Sequence, residues 1–213
     1  MALLKANKKN SNWRLSLYHK VLLIITLIAI CFCAQGIYRE AKAIVAQRLL
    51  SLAWVSHLED GERHKPWPWA DSVPIAQLTI AGQGPLMVVA GTSISHLTLA
   101  PAWMVSSSGF GKVGNSVVVA HNDTHFKQLK EVHLNSLLTV NTYPNLQFNY
   151  RVIATKIVNE KELSVLKVSE QEILTLITCY PFESSLLNSE LRFVVVAKRI
   201  KQPFSDIKFA WLN

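Results

Sequence analysis

From residue 72 onward the chain is divided into short apolar runs, at residues 73–80, 86–90, 116–120, 136–141, 147–157, 174–178 and 191–198. Clusters of Gly, Pro and Asn separate them, among them Gly82-Gln83-Gly84-Pro85, residues 111–115 and Tyr143-Pro144-Asn145. Apolar runs of this length between breakers are strands. About seven or eight of them at this spacing close into a barrel or stack as a sandwich. The domain is therefore all-β. Residues 126–132 (FKQLKEV) have helical character and predict a short helix. No repeat or low-complexity segment interrupts the pattern. A length of 213 residues leaves room for one sizeable domain and an appendage.

The appendage lies at the N-terminal end. Residues 1–20 carry Lys5, Lys8, Lys9, Arg14 and Lys20 with no acidic residue, and residues 21–38 carry no charge at all. Eighteen helical residues span about 27 Å, enough for the hydrocarbon core of a bilayer. The basic flank predicts that this end stays in the cytoplasm and that the rest is exported. A cleaved signal peptide is the competing reading, but no small-x-small site precedes Arg39. A lipoprotein is disfavoured because Ile30 and Phe32 precede Cys31 and Cys33 where a small residue is expected. The expected organisation is a basic cytoplasmic arm (1–20), a transmembrane helix (21–38), a juxtamembrane helix (39–64) and a β-domain (65–213).

The net charge of +8 partly reflects this arm. The basic residues precede an apolar segment and are not interleaved with a stacking platform, which argues against nucleic acid as a partner. In residues 39–58, Ala43, Ile44, Ala46, Leu49, Leu50, Ala53 and Trp54 form a near-helical stripe that continues the membrane helix and then packs on the exported domain. Pro66 and Pro68 in KPWPWAD (65–71) end it. Trp67 and Trp69 there read first as a packing clamp and second as a ligand platform. Residues 201–213 read either as a loose end or as a final packed segment.

Of three cysteines, two lie inside the membrane run, so Cys179 is the only thiol of the exported domain and has no disulfide partner within it. It sits where LTLIT (174–178) meets Tyr180-Pro181, a strand end where a sulfur can face a cleft. An inert buried thiol is the plain alternative. A nucleophilic thiol needs a base or an imidazolium partner. His121, closing the run 116–120, is the best candidate. Arg192, opening the hydrophobic run 191–198, suits a substrate carbonyl or an oxyanion, although a surface charge is its ordinary role. The HNDTH segment has H-x-x-x-H spacing with Asp123 and His133 near, which admits a metal. The zincin Glu is absent and the segment begins at a strand end, so no metal or other cofactor is expected. His125 is open to a supporting role or to a satisfied helix-start position, and Asp123 to capping the helix begun at Phe126.

The order of His, then Cys in a TLxTC strand end, then Arg opening the next strand, behind an N-terminal anchor, resembles the sortases. The likeness runs from about Ala41 to Arg199 through AQRLL…AW, KPWPWAD, VAHNDTHF, LTLITCYPF and LRFVVVA, and looks most like the class GN sortases of Gram-negative bacteria. The resemblance implies a closed eight-stranded β-barrel and a cysteine transpeptidase with Cys179 as nucleophile, His121 as acid and base, and Arg192 stabilising the carbonyl. Asp123, His125 and Thr178 are the further candidates for substrate contact or for support of these three. The implied partners are an exported protein with a C-terminal LPxTG-like signal and an unidentified amine acceptor. The implied location is the bacterial inner membrane, single-pass, with the catalytic domain in the periplasm. A cysteine peptidase and a non-catalytic anchored binding module are the alternatives. Two departures stand out: Ala120-His121-Asn122-Asp123 replaces the family's usual Gly-His-Arg-Asp, and residues 183–190 lack its Gly-Pro.

Overall fold

The computed structural model describes residues 2–182 and 189–200. Residues 201–213, and the 183–190 loop apart from Ser189 and Glu190, lie outside the described residues. The chain forms two compact units, 1–42 and 43–213. Helix α1 runs without a break from Ala2 to Asp60. Among the described residues it is long and apolar enough to cross a membrane, and its apolar window is not buried by the protein.

In the second unit, β1 (Pro74–Ile80), β2 (Leu86–Ala90), β3 (Ala102–Trp103), β4 (Gly114–Val119), β5 (Leu137–Thr142), β6 (Leu146–Asn159), β7 (Glu172–Tyr180) and β8 (Leu191–Ile200) close a barrel in the order β1-β2-β3-β4-β7-β8-β6-β5. A short helix α2 (Ile94–Leu99) joins β2 to β3. The predicted helix after His121 is a 3-10 turn, Lys127–Glu131. A second 3-10 turn, Leu163–Leu166, lies between β6 and β7.

Alternation sets which side chains enter the barrel. In β1, Ala76, Leu78 and Ile80 are fully buried while Gln77 and Thr79 between them are not, the period expected of a strand with one face on the core. Their neighbours in the interior are Val118, Ala120, Leu138, Val140, Tyr150, Val152, Leu174, Leu176, Val195 and Ala197. Strands β4 and β7 run parallel and bury most of both faces, which is why 116–120 and 174–178 read as continuous apolar runs and not as alternating ones. Their outer face is covered by the β6–β7 connection. There Thr175 Oγ1 donates to Asn115 Oδ1 (2.7 Å), and Asn115 Nδ2 donates to the carbonyls of Val165 (2.9 Å) and Lys167 (3.3 Å).

The last turns of α1 belong to this unit. Leu50 and Trp54 pack with Met87, Val89, Ala100 and Ala102 in a second apolar cluster. Strand β3 is only two residues long, so much of β2 lacks a neighbour on that side. Gln47 takes that place: Met87 N–H donates to its Oε1 (2.7 Å), and its Nε2 donates to the carbonyls of Met87 (3.3 Å) and Leu99 (3.4 Å). The clamp expected of KPWPWAD is only partly present. Trp67 is half-buried and Ala70 is buried, but Trp69 is 82 % exposed. The chain turns back through Ala70 N–H to Trp67 O (3.0 Å), and this tight turn leaves Trp69 facing outward.

Candidate active site

Two strand ends and one strand start meet at one rim of the barrel. Cys179 of β7 and Arg192 of β8 are direct cross-strand partners. Paired residues share a face of the sheet. Because Leu174, Leu176, Phe193 and Val195 turn toward the core, the alternation puts Cys179 and Arg192 on the outer face. The β4·β7 ladder ends at Val119↔Ile177 and is extended by Ala120 N–H to Ile177 O (3.2 Å). Two steps beyond that last pair lie His121, just past β4, and Cys179 on β7. His121 is exposed and Cys179 half-buried. Topology therefore brings together the three residues singled out in the sequence.

The backbone around them is fastened by side chains. Thr178 is 2 % exposed, and its hydroxyl donates to Ala120 O at 2.7 Å. Thr178 thus ties the strand carrying Cys179 to the residue before His121, and its side chain does not face outward toward a substrate. Phe126 N–H donates to His121 O (2.9 Å), closing the turn after β4. Asn122 Nδ2 donates to Pro181 O (3.0 Å), a second tie across the same gap, next to the cis Tyr180–Pro181 bond. Ala120 is absent from the described residues with positive φ, so the glycine usual before this His is not required by the backbone here. Asp123 is exposed and does not cap the 3-10 turn, whose N-cap is Phe126 with no side-chain hydrogen bond. Rings of Tyr180, Phe182 and Phe193 stand 5.2–6.4 Å apart, and Phe182 and Phe193 pack against the barrel core.

Arg192 is held by three acceptors. Its Nη1 donates to the carbonyls of Ser189 (2.7 Å) and Leu191 (2.9 Å), and its Nη2 to Glu160 Oε2 (2.6 Å). Glu160 follows β6 and was not marked by any sequence pattern; only the pairing of β6 with β8 brings it here. The tie made by Asn122 has no local signal in the sequence either, because Pro181 lies 59 residues further along the chain. His125 lies one turn beyond His121, buried, with no hydrogen-bond partner for its Nε2. Burial pushes its pKa down to about 4, the nearby His121 charge acts in the same direction, and Asp123 opposes both. It is therefore a neutral imidazole at neutral pH. Among the described residues, no three His, Cys, Asp or Glu side chains converge in a metal-binding group.

A thiol, an imidazole and a guanidinium at one rim are the kinds of group that acyl transfer through a covalent intermediate uses. Known proteins share this frame. A family model for the Sortase domain matches residues 79–200. Sortase D of Bacillus subtilis (strain 168) is 30 % identical over 116 residues, 54 % of this chain and 58 % of that protein, so the chain spans less than two thirds of its length. A solved Clostridium perfringens sortase D5 transpeptidase superposes with a TM-score of 0.58 at 16 % identity, covering 74 % of this chain and 99 % of that one. Listeria monocytogenes sortase A gives 0.53 at 23 % identity, covering 60 % and 88 %. At such identities the two structures are alike in fold. These relatives come from Gram-positive bacteria, and so they speak to the domain and not to a Gram-negative class.

Proposed function

Since the chain belongs to the sortase family, whose domain covers residues 79–200, we propose that it is a membrane-anchored cysteine transpeptidase of the Gram-negative class. The observation that carries this reading is the register at the rim, with Cys179 paired to Arg192 and His121 two steps past the end of the neighbouring ladder. Cys179 Sγ attacks the Thr carbonyl carbon of an LPxTG-like signal near the C-terminus of an exported protein. The C–N bond breaks, His121 protonates the leaving amine, and a thioester remains on Cys179. An incoming amine attacks that thioester, the C–S bond breaks, His121 accepts the amine's proton, and the thiolate and the protonated His121 that began the cycle are restored. Arg192 and nearby backbone N–H groups stabilise the oxyanion of each tetrahedral intermediate, an effect worth about 3–4 kcal/mol per donor in comparable sites.

The uncharged run 21–38 behind its basic flank serves as a single-pass anchor with the N-terminus in the cytoplasm and the barrel in the periplasm. Enzyme and membrane-retained substrate then meet on one surface at raised effective concentration. The test is mass spectrometry of an LPxTG-type peptide incubated with the protein and an amine nucleophile. The expected result is a peptide joined to the amine, a mass shift on Cys179 in the trapped intermediate, and neither with Cys179→Ala. Cleaved peptide without amine incorporation, at saturating amine, would mean a hydrolase. Product from Cys179→Ala would remove Cys179 from the chemistry.

A further inference from the structure

We propose that Glu160 holds Arg192 aside in the free protein and competes with the substrate for its guanidinium, an inference that rests on the role given to Arg192 above. The argument is one of strand order. Strand β8 lies between β7 and β6, and Arg192 is paired with Cys179 on one side and with Val158 on the other. Neighbouring strands stand about 4.8 Å apart, so the guanidinium can serve the thiol's side or the β6 side, and the Glu160 bond commits it to the β6 side. Both terminal nitrogens are engaged before any substrate arrives, Nη1 by the carbonyls of Ser189 and Leu191 and Nη2 by the carboxylate.

The turn that carries Glu160 is fastened to present it. Glu160 N–H donates to Glu190 O (2.6 Å), Asn159 Nδ2 to Glu190 Oε2 (3.4 Å), Lys161 N–H to Asn159 Oδ1 (3.0 Å) and Glu162 N–H to Asn159 O (2.9 Å). The backbone of Glu160 is therefore fixed, and the Arg192 side chain reaches its carboxylate across its own strand. A neutral substrate carbonyl competes poorly with a carboxylate for a guanidinium. The oxyanion of a tetrahedral intermediate, which carries a full charge, competes well. Arg192 therefore stays with Glu160 when the neutral carbonyl binds and is drawn off only by the oxyanion, so the cost of breaking the pair falls on the transition state.

The ion pair is partly exposed, at 26 % and 42 % for the two side chains, so the effect of removing it lies in the range of about two- to fivefold. The experiment is a double-mutant cycle on the full chain in detergent, comparing wild type, Glu160→Gln, Arg192→Ala and the double variant. Cys179 labelling rates are measured with a sulfonate-bearing and a trimethylammonium-bearing methanethiosulfonate, alongside kcat/KM for the peptide. Glu160→Gln is expected to raise the anionic-to-cationic labelling ratio about two- to fivefold when Arg192 is present and less than twofold when it is Ala, and to raise kcat/KM about two- to fivefold. Glu160→Ala repeats the test without the amide. An equal change in both backgrounds would mean that Glu160 acts only through its own charge, and a fall in kcat/KM would make it a support of Arg192; either overturns the inference. An Arg192-dependent labelling shift without peptide transfer would leave this inference standing and refute the transpeptidase reading. A Cys179 that labels only after denaturation would overturn both.

Discussion

His125 makes the barrel sensitive to acid in a calculable way. Its ordinary pKa of 6.5 falls to about 4 in the folded protein, first through burial and then through the His121 charge. Between these values the unfolded chain binds a proton that the folded chain does not, so stability is full above pH 6.5 and is lost as pH falls through 4. Each pKa unit corresponds to 1.36 kcal/mol, so the loss is about 2 kcal/mol at pH 5 and about 3 kcal/mol by pH 4. At a urea slope of about 2 kcal/mol per M, the midpoint moves down by about 1 M between pH 7 and pH 5. The assay is urea unfolding followed by tryptophan fluorescence across this range, for wild type and His125→Phe. Phe keeps a ring in the site and removes the titration, so the difference between the two curves isolates His125 from the other histidines. The variant is also expected to gain about 1 kcal/mol at pH 7, because the buried Nε2 that lacks a partner is gone. Parallel pH profiles for the two proteins would refute the reasoning, and would mean that His125 is hydrated or paired in solution.

Two further perturbations test the packing and the rim. Trp54→Ala, in the cluster that joins the end of α1 to β2, removes a ring that is 4 % exposed and is expected to cost about 3–5 kcal/mol, read as a lowered urea midpoint of the whole barrel. A change below 1 kcal/mol would show that the helix end contributes little to the barrel. Asn122→Ala removes the hydrogen bond to Pro181 O between the His121 turn and the Cys179 strand end. It is expected to lower kcat/KM about tenfold through loss of alignment while stability falls by less than about 1 kcal/mol. Unchanged kinetics would make that bond incidental.

Much of the candidate site was legible because its residues occupy positions of a recognisable kind. Cys179, His121 and Arg192 each stand at the edge of a hydrophobic run, and the runs alone define where strands begin and end. The class of fold was legible for the same reason. Closure was not legible in the strand pattern, since a barrel and a sandwich place the same demand on alternating side chains; the resemblance to the sortases implied it, and the closed barrel bears it out. The two-residue β3 and the six-residue α2 left no periodic trace; they exist because Gln47, Leu50 and Trp54 pack and bond against that side of the barrel. The Trp67–Trp69 clamp was misjudged for one of its two rings because exposure depends on how the turn is directed, and composition does not carry that.

What the sequence determined by itself is therefore local: an uncharged helix with a basic flank, strands bounded by Gly, Pro and Asn, and three chemically apt residues at strand ends. These follow from periodicity, propensity and desolvation, which act within a few residues of chain. Only the tertiary structure decided which strand ends become neighbours. Parallel pairing of β4 with β7, and the position of β8 between β7 and β6, join residues 121, 179 and 192 at one rim and bring Glu160 to the guanidinium of Arg192. Such pairing is fixed by the joint burial of the whole core, a many-body property that no short stretch of sequence states.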